Sequence, residues 1–265
     1  MEEKGCPTKG AQSLKEELKK HTGLRDVRFV LAVGSGKGGV GKTTASTLLA
    51  LGLRANGYSV GLFDLDFYGP NVNLALGLKD KSPLVEFGRI KPVLGPLNLK
   101  VMSLALMVSE KEPVFMRGLM ASKLLQELVG KVEWGPLDFL VLDLPPGTGD
   151  IFLTMLDLFS PEGFVLVTTA NKMALADALR TMGILKEKEV PVLGVIKNFA
   201  GIFDQEEAFQ AFLEKTKPPF VFEIPFIKEL SSFEDVSKLF QLPEKRDFLQ
   251  GLVDQVLERA LFRIR

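Results

Sequence analysis

Between Gly34 and Thr44 the chain reads Gly-Ser-Gly-Lys-Gly-Gly-Val-Gly-Lys-Thr-Thr, which contains the spacing G-x-x-x-x-G-K-T from Gly36 to Thr43. Glycines at 36, 38, 39 and 41 let a backbone wrap closely around phosphate oxygens, some at φ angles that other residues resist. A glycine-rich turn that opens a helix presents successive N–H groups and a positive helix end, which together cradle an anion. Gly36, Gly38, Gly39, Val40, Gly41, Lys42, Thr43 and Thr44 are therefore expected to hold the phosphates of a nucleotide. Lys42 is expected along the β- and γ-oxygens, and the Thr43 hydroxyl on Mg²⁺. A second lysine, Lys37, follows the first motif glycine and cannot easily reach the γ-phosphate of its own loop. From its position alone a solvated side chain and a functional one both remain open.

Two further segments carry carboxylates where such a site needs them. Asp64 and Asp66 close the apolar run ending in Phe63, at the tip of a strand where open parallel sheets bind ligands. They can hold waters of Mg²⁺ or orient an attacking water. Asp143 ends the apolar run Phe139-Leu140-Val141-Leu142, a costly place for a charge unless a cation or hydrogen bonds compensate it. Mg²⁺ at the neighbouring loop would supply that compensation, so Thr43, Asp143 and Asp66 form the expected metal site. The sequence continues Pro-Pro-Gly-Thr-Gly-Asp, and Gly147 is expected to bring an N–H to the terminal phosphate in a nucleotide-sensing switch.

These residues need strands to carry them. Near-continuous apolar runs at 28–33, 59–63, 138–142, 163–168, 192–196 and 220–224 read as strands buried on both faces. Helix-period segments lie between them: Thr43–Asn56, Gly118–Val129 closed by Gly130, and Ala174–Lys186. The alternation predicts one doubly wound α/β domain, a mostly parallel sheet with helices on both faces. Residues 84–106, with Gly95-Pro96 between short runs, read as a hairpin-type insertion near an edge. A terminal helix over Pro243–Arg263 puts Leu249, Leu252, Val253, Val256, Leu257, Ala260 and Leu261 on one face. The division expected is an arm over 1–27, with a short helix at 12–20, and a nucleotide-binding domain over 28–265.

Composition removes other classes. Of 265 residues 25% are charged, and 33 Lys and Arg balance 33 Asp and Glu, so no net field draws nucleic acid or an anionic membrane. The terminal helix mixes acidic and basic residues, whereas membrane-surface helices favour a basic polar face. No apolar run is long enough to span a bilayer, and the first twenty residues show no signal-peptide core. The single cysteine, Cys6, excludes an internal disulfide and points to a reducing cytoplasm. His21, the only histidine, reads as a helix-end surface residue, and Trp134 as packing.

The loop GKGGVGKTT resembles the signature-lysine loop of the MinD/ParA/Mrp ATPases, the deviant Walker A group. That resemblance implies that Lys37 crosses a homodimer interface to the partner's nucleotide, that Asp66 positions the hydrolytic water and that Asp64 supports it. The segment Asp64–Val72 is similar to the version of this switch in the Mrp/ApbC iron–sulfur cluster carriers, as are Pro145–Asp150, Arg117–Lys123 and Trp134–Asp138. It further implies ATP as ligand, slow and partner-stimulated hydrolysis, Asn198 on the adenine, Pro225 beside the base, and a role in iron–sulfur cluster assembly with an assembly factor or apo-client. A MinD/ParA-like spatial organiser binding membrane or DNA is the alternative. The departures are specific. That family carries C-P-x-C soon after the Asn198 position and ligates a [4Fe–4S] cluster between two chains, yet residues 198–217 here contain no cysteine. Leu119 replaces a usual proline and Lys197 a usual glutamate. A homodimer would offer only Cys6 from each chain, so a cysteine-bearing partner is implied if a cluster is handled.

Overall fold

The computed structural model describes residues 23–66, 69–103, 106, 128–203, 205–231 and 235–264. The strands are β1 (Val27–Gly34), β2 (Val60–Asp64), β3 (Leu84–Glu86), β4 (Arg89–Lys91), β5 (Val93–Leu94), β6 (Lys100–Ser103), β7 (Leu137–Asp143), β8 (Gly163–Thr168), β9 (Val192–Ala200) and β10 (Val221–Pro225). The helices are α1 (Lys42–Ala55), α2 (Val72–Ala75), α3 (Asp150–Phe159), α4 (Lys172–Glu187), α5 (Glu206–Thr216) and α6 (Pro243–Ile264). Eight strands form one sheet in the order β10-β9-β8-β1-β7-β2-β6-β5, and every pair is parallel except β5 with β6.

The strands read as unbroken apolar runs because both faces are covered. In β1, Phe29, Leu31 and Val33 point into one hydrophobic layer, with Leu48, Leu49 and Leu53 of α1 and Leu249, Val253 and Val256 of α6. Val30 and Ala32 point into the other, with Phe152 and Phe159 of α3, Leu185 of α4 and Phe209 of α5. Trp134 is fully buried in that second layer, its ring 5.5 Å from Phe63. The terminal helix docks as its apolar spacing predicts, except at Leu261, which is exposed. No described helix is long and apolar enough to cross a membrane.

The expected strands lie within a residue or two of the observed ones, but β9 runs on to Ala200. The stretch 84–106 is more than an insertion. Only β3 and β4 form a separate hairpin; β5 and β6 extend the main sheet, and β6 pairs in parallel with β2. A four-residue strand beginning with lysine lacks the long apolar run that marks its neighbours. Residues 128–131 are helical, so Gly130 lies inside the helix it was expected to close. Of the arm expected over 1–27, Leu24 and Val27 are buried against the sheet's second layer. The expected 12–20 helix, Cys6, His21 and Arg117–Lys123 lie outside the described residues.

Candidate functional site

Register brings the acidic tips together. Because β1, β7 and β2 are neighbours, Val33 lies beside Asp143, and Asp64 lies directly across from Asp143. All three strands end on the same side, where α1 begins. Gly41 precedes α1 at φ +83, and the first turn of this helix has neither a side-chain cap nor an acidic residue. Its N–H groups are thus not met by side chains, unlike those of α4, where Asn171 Oδ1 accepts from Met173 and Ala174.

The glycines of the loop do different things. A Cβ on Gly38 or Gly39 would meet nothing within 4 Å, so no neighbour crowds the loop there, and Gly39 uses its freedom at φ +79. A Cβ on Gly36 would stand 2.4–2.7 Å from backbone atoms of Asp177 and Ala178, so α4 packs on this residue. At Gly41 the close neighbour is Asn198, whose Nδ2 would lie 2.0 Å from a Cβ and donates to the Val40 carbonyl at 2.9 Å.

Lys42 is nearly buried, and its Nζ donates to Asp143 Oδ1 at 2.7 Å with Asp66 Oδ2 at 3.7 Å. Thr43 Oγ1 donates to Asp143 Oδ2 at 2.7 Å, so both oxygens of the fully buried Asp143 accept a hydrogen bond. Burial raises the Asp143 carboxyl above the usual carboxylate range, against the pull of Lys42 and Thr43. Asp64, equally buried, accepts from the N–H of Asp66 at 3.1 Å, the N–H of Val72 at 3.2 Å and Ser103 Oγ at 3.0 Å. It therefore pins both ends of the segment that carries Asp66. Burial first, and the nearby Asp143 second, push Asp64 up to about 7.

This shift has a sign. The folded chain holds a proton on Asp64 that the unfolded chain releases near 3.8, so Asp64 costs stability progressively as pH rises from about 4 to about 7. Melting in chelator is expected to show stability falling across that window, with the slope reduced in Asp64→Asn. A slope unchanged by that substitution would remove Asp64 as its source.

The donors fit a hard divalent cation. Thr43 Oγ1, Asp143 and Asp66 all carry oxygen atoms near one lysine and would offer those oxygens to a cation. Among the described residues no group of three or more His, Cys, Asp or Glu side chains could hold a metal by itself. Mg²⁺ here would draw its remaining ligands from phosphate oxygens and water.

Other predicted residues fall as follows. Lys37 is half-buried and makes no ion pair among the described residues; Ser35 Oγ donates to its carbonyl at 2.9 Å. Thr44 is half-buried on the first turn of α1. Gly147, at φ +92, follows the Asp143 strand, and its N–H donates to the Ser35 carbonyl at 2.9 Å in this conformation. Asn198 is at the loop, and Pro225 lies exposed at the end of β10, level with Ala200. Lys197 points the other way along β9, to Glu206 at 2.6 Å and Glu223 at 3.1 Å, and so ties α5 to the sheet. Ser103, which holds Asp64, was not legible in advance, since nothing in its neighbourhood marks β6 as a strand of this sheet.

A glycine loop between β1 and an uncapped α1, a lysine on a buried aspartate and a threonine on that same carboxylate define a P-loop NTPase. The family model of the ParA/NUBPL iron-transfer P-loop NTPases matches residues 26–259, and the chain belongs to that family. An iron–sulfur cluster carrier protein of Aquifex aeolicus is 47% identical over 176 residues, covering 66% of this chain and 48% of that protein. The iron–sulfur cluster transfer protein NUBPL of Dictyostelium discoideum is 41% identical, covering 67% of this chain and 55% of its own length. The chain thus spans about half the length of these curated relatives. Among solved structures, a nucleotide-binding protein of Archaeoglobus fulgidus in complex with ADP superposes with TM-score 0.71 at 33% identity, covering 84% of this chain and 91% of that one. The cell-division ATPase MinD of Pyrococcus furiosus (TM-score 0.61, 21% identity, 87% and 98% covered) shares the fold.

Proposed function

We propose that this chain is a Mg²⁺-dependent ATP-binding and hydrolysing switch that works, as a homodimer, in the assembly or transfer of iron–sulfur clusters. The observation that carries the nucleotide reading is Lys42 and Thr43 converging on Asp143 at the mouth of an uncapped helix. In that reading the loop N–H groups and Lys42 hold the phosphates, and Thr43, Asp143 and Asp66 hold Mg²⁺, which neutralises charge on the terminal phosphate. Asp66 orients the attacking water, and Asp64 keeps the Asp66 segment in place through its bonds to Asp66 and Val72. Asn198 contacts the adenine and Pro225 flanks it. Lys37, half-buried and without an ion pair among the described residues, reaches the nucleotide of a second copy. The relatives named as cluster carriers support the cluster role, and the ADP-bound neighbour supports the nucleotide.

Calorimetry with Mg·ATP and sedimentation on wild type and Lys37→Ala test the switch. Lys37→Ala is expected to keep ATP binding and lose ATP-dependent dimerisation; equal loss of binding and dimerisation contradicts the assigned role.

The cluster itself is cargo that this chain is poorly equipped to ligate. Its only thiol is Cys6, while a [4Fe–4S] cluster needs four ligands, usually thiolates. A cysteine-bearing partner would supply the rest. Anaerobic reconstitution with iron and sulfide is expected to give no stable cluster on the isolated chain. A [4Fe–4S] spectrum that survives Cys6→Ser would overturn this.

A further inference from the structure

At the tip of β9 the sheet breaks register. Asn198 faces Ile224 and Ala200 faces Pro225, which leaves Phe199 as an extra residue opposite no partner of its own. Such bulges bend a strand and re-aim a side chain. Phe199 sits at φ +55, a left-handed conformation that suits glycine and that a bulky residue rarely adopts. Strain of this kind persists where the surrounding structure uses it.

The bulge sends the Phe199 ring towards the phosphate loop. Its Cζ lies 3.8 Å from where a Cβ on Gly41 would stand, beside the start of α1. Phe226, directly after Pro225, is 54% exposed, and the two rings are 6.3 Å apart with their planes at 42°. Neither ring belongs to the two hydrophobic layers that hold the sheet and helices together. Two aromatic side chains are thus held at the edge of the loop without serving the core.

We infer that Phe199 and Phe226 form an aromatic corner that takes the base of the bound nucleotide. This rests on the reading of the adjoining loop as a nucleotide site. The tilt makes a corner and not a parallel slot, so a planar base lies on the face of one ring with the other ring against its edge. Stacking of this kind gives affinity without choosing among bases, because every base has a π face. Beside the corner, Asn198 donates one Nδ2 hydrogen to the Val40 carbonyl, and its Oδ1 is an acceptor of the kind that the 6-amino group of adenine can meet.

The test compares Mg·ATP with Mg·tripolyphosphate, which has no base, by calorimetry on the full chain. Wild type should bind ATP more tightly than tripolyphosphate. Phe199→Ala and Phe226→Ala should each weaken ATP binding by roughly 5- to 150-fold and leave tripolyphosphate binding unchanged. Phe199→Tyr should retain most of the ATP affinity. Phe199→Gly removes the ring and relieves the left-handed strain, so it should melt no lower than wild type and still show the base-dependent loss. Unchanged ATP affinity in both alanine variants, or equal losses for the two ligands, overturns the corner. So does a wild type that binds both ligands equally, which would leave the phosphate reading intact. A wild type that binds neither ligand sinks the nucleotide reading and the corner together.

Discussion

The Lys42→Ala protein is expected to bind no ATP at concentrations that saturate the wild type, and to lose about 3–5 kcal/mol of stability. Both effects come from one atom. Lys42 Nζ is the cation nearest the fully buried Asp143, at 2.7 Å, and its removal leaves that carboxylate with Thr43 as its remaining charge-stabilising donor from the loop. Breaking a buried pair on one side costs more than the pair contributes, because a desolvated charge is left behind. The double variant Lys42→Ala/Asp143→Ala should therefore recover part of the lost stability and none of the binding. Thermal melts with calorimetry separate the two: ATP affinity within tenfold of wild type in Lys42→Ala would show that the loop does not grip the phosphates as assigned.

Gly36→Ala should damage the loop through packing alone. Its Cβ would stand 2.4–2.7 Å from the backbone of Asp177 and Ala178, atoms that cannot swing aside as a side-chain tip can. Either α4 or the loop must shift, at about 1–3 kcal/mol for overpacking. ATP affinity should fall by roughly tenfold or more, since the loop's N–H groups move with its backbone. Gly38→Ala is the control. It has open space around it and should change stability by less than about 0.5 kcal/mol. Equal melting temperatures for Gly36→Ala and Gly38→Ala would show that α4 does not pack on the loop as tightly as the structure has it.

Much of this was legible from residues in order. The apolar runs marked six strands of the main sheet, five of them nearly at their observed bounds and β9 four residues short, because a strand buried on both faces must be apolar throughout. The short strands β5 and β6 escaped, since two and four residues at a sheet edge carry too little pattern. The loop was legible in its chemistry and incompletely so in its mechanics. All its glycines suggested phosphate contact, whereas Gly36 is small because α4 packs on it. The bond from the Gly147 N–H to the Ser35 carbonyl joins segments far apart in the chain, and no local run announces it.

The sequence by itself determined what the site can bind, because Gly36 through Thr44 are consecutive and a helix start fixes their relative geometry locally. It also determined that parallel strands would carry Asp64 and Asp143 to one end of a sheet. Only the tertiary structure decided that these two carboxylates lie directly across from each other, that Ser103 from an unmarked strand holds one of them, and that a bulge turns Phe199 towards the loop. Register between strands far apart in the chain is settled by how their side chains pack against shared helices, and no local run of residues records that choice.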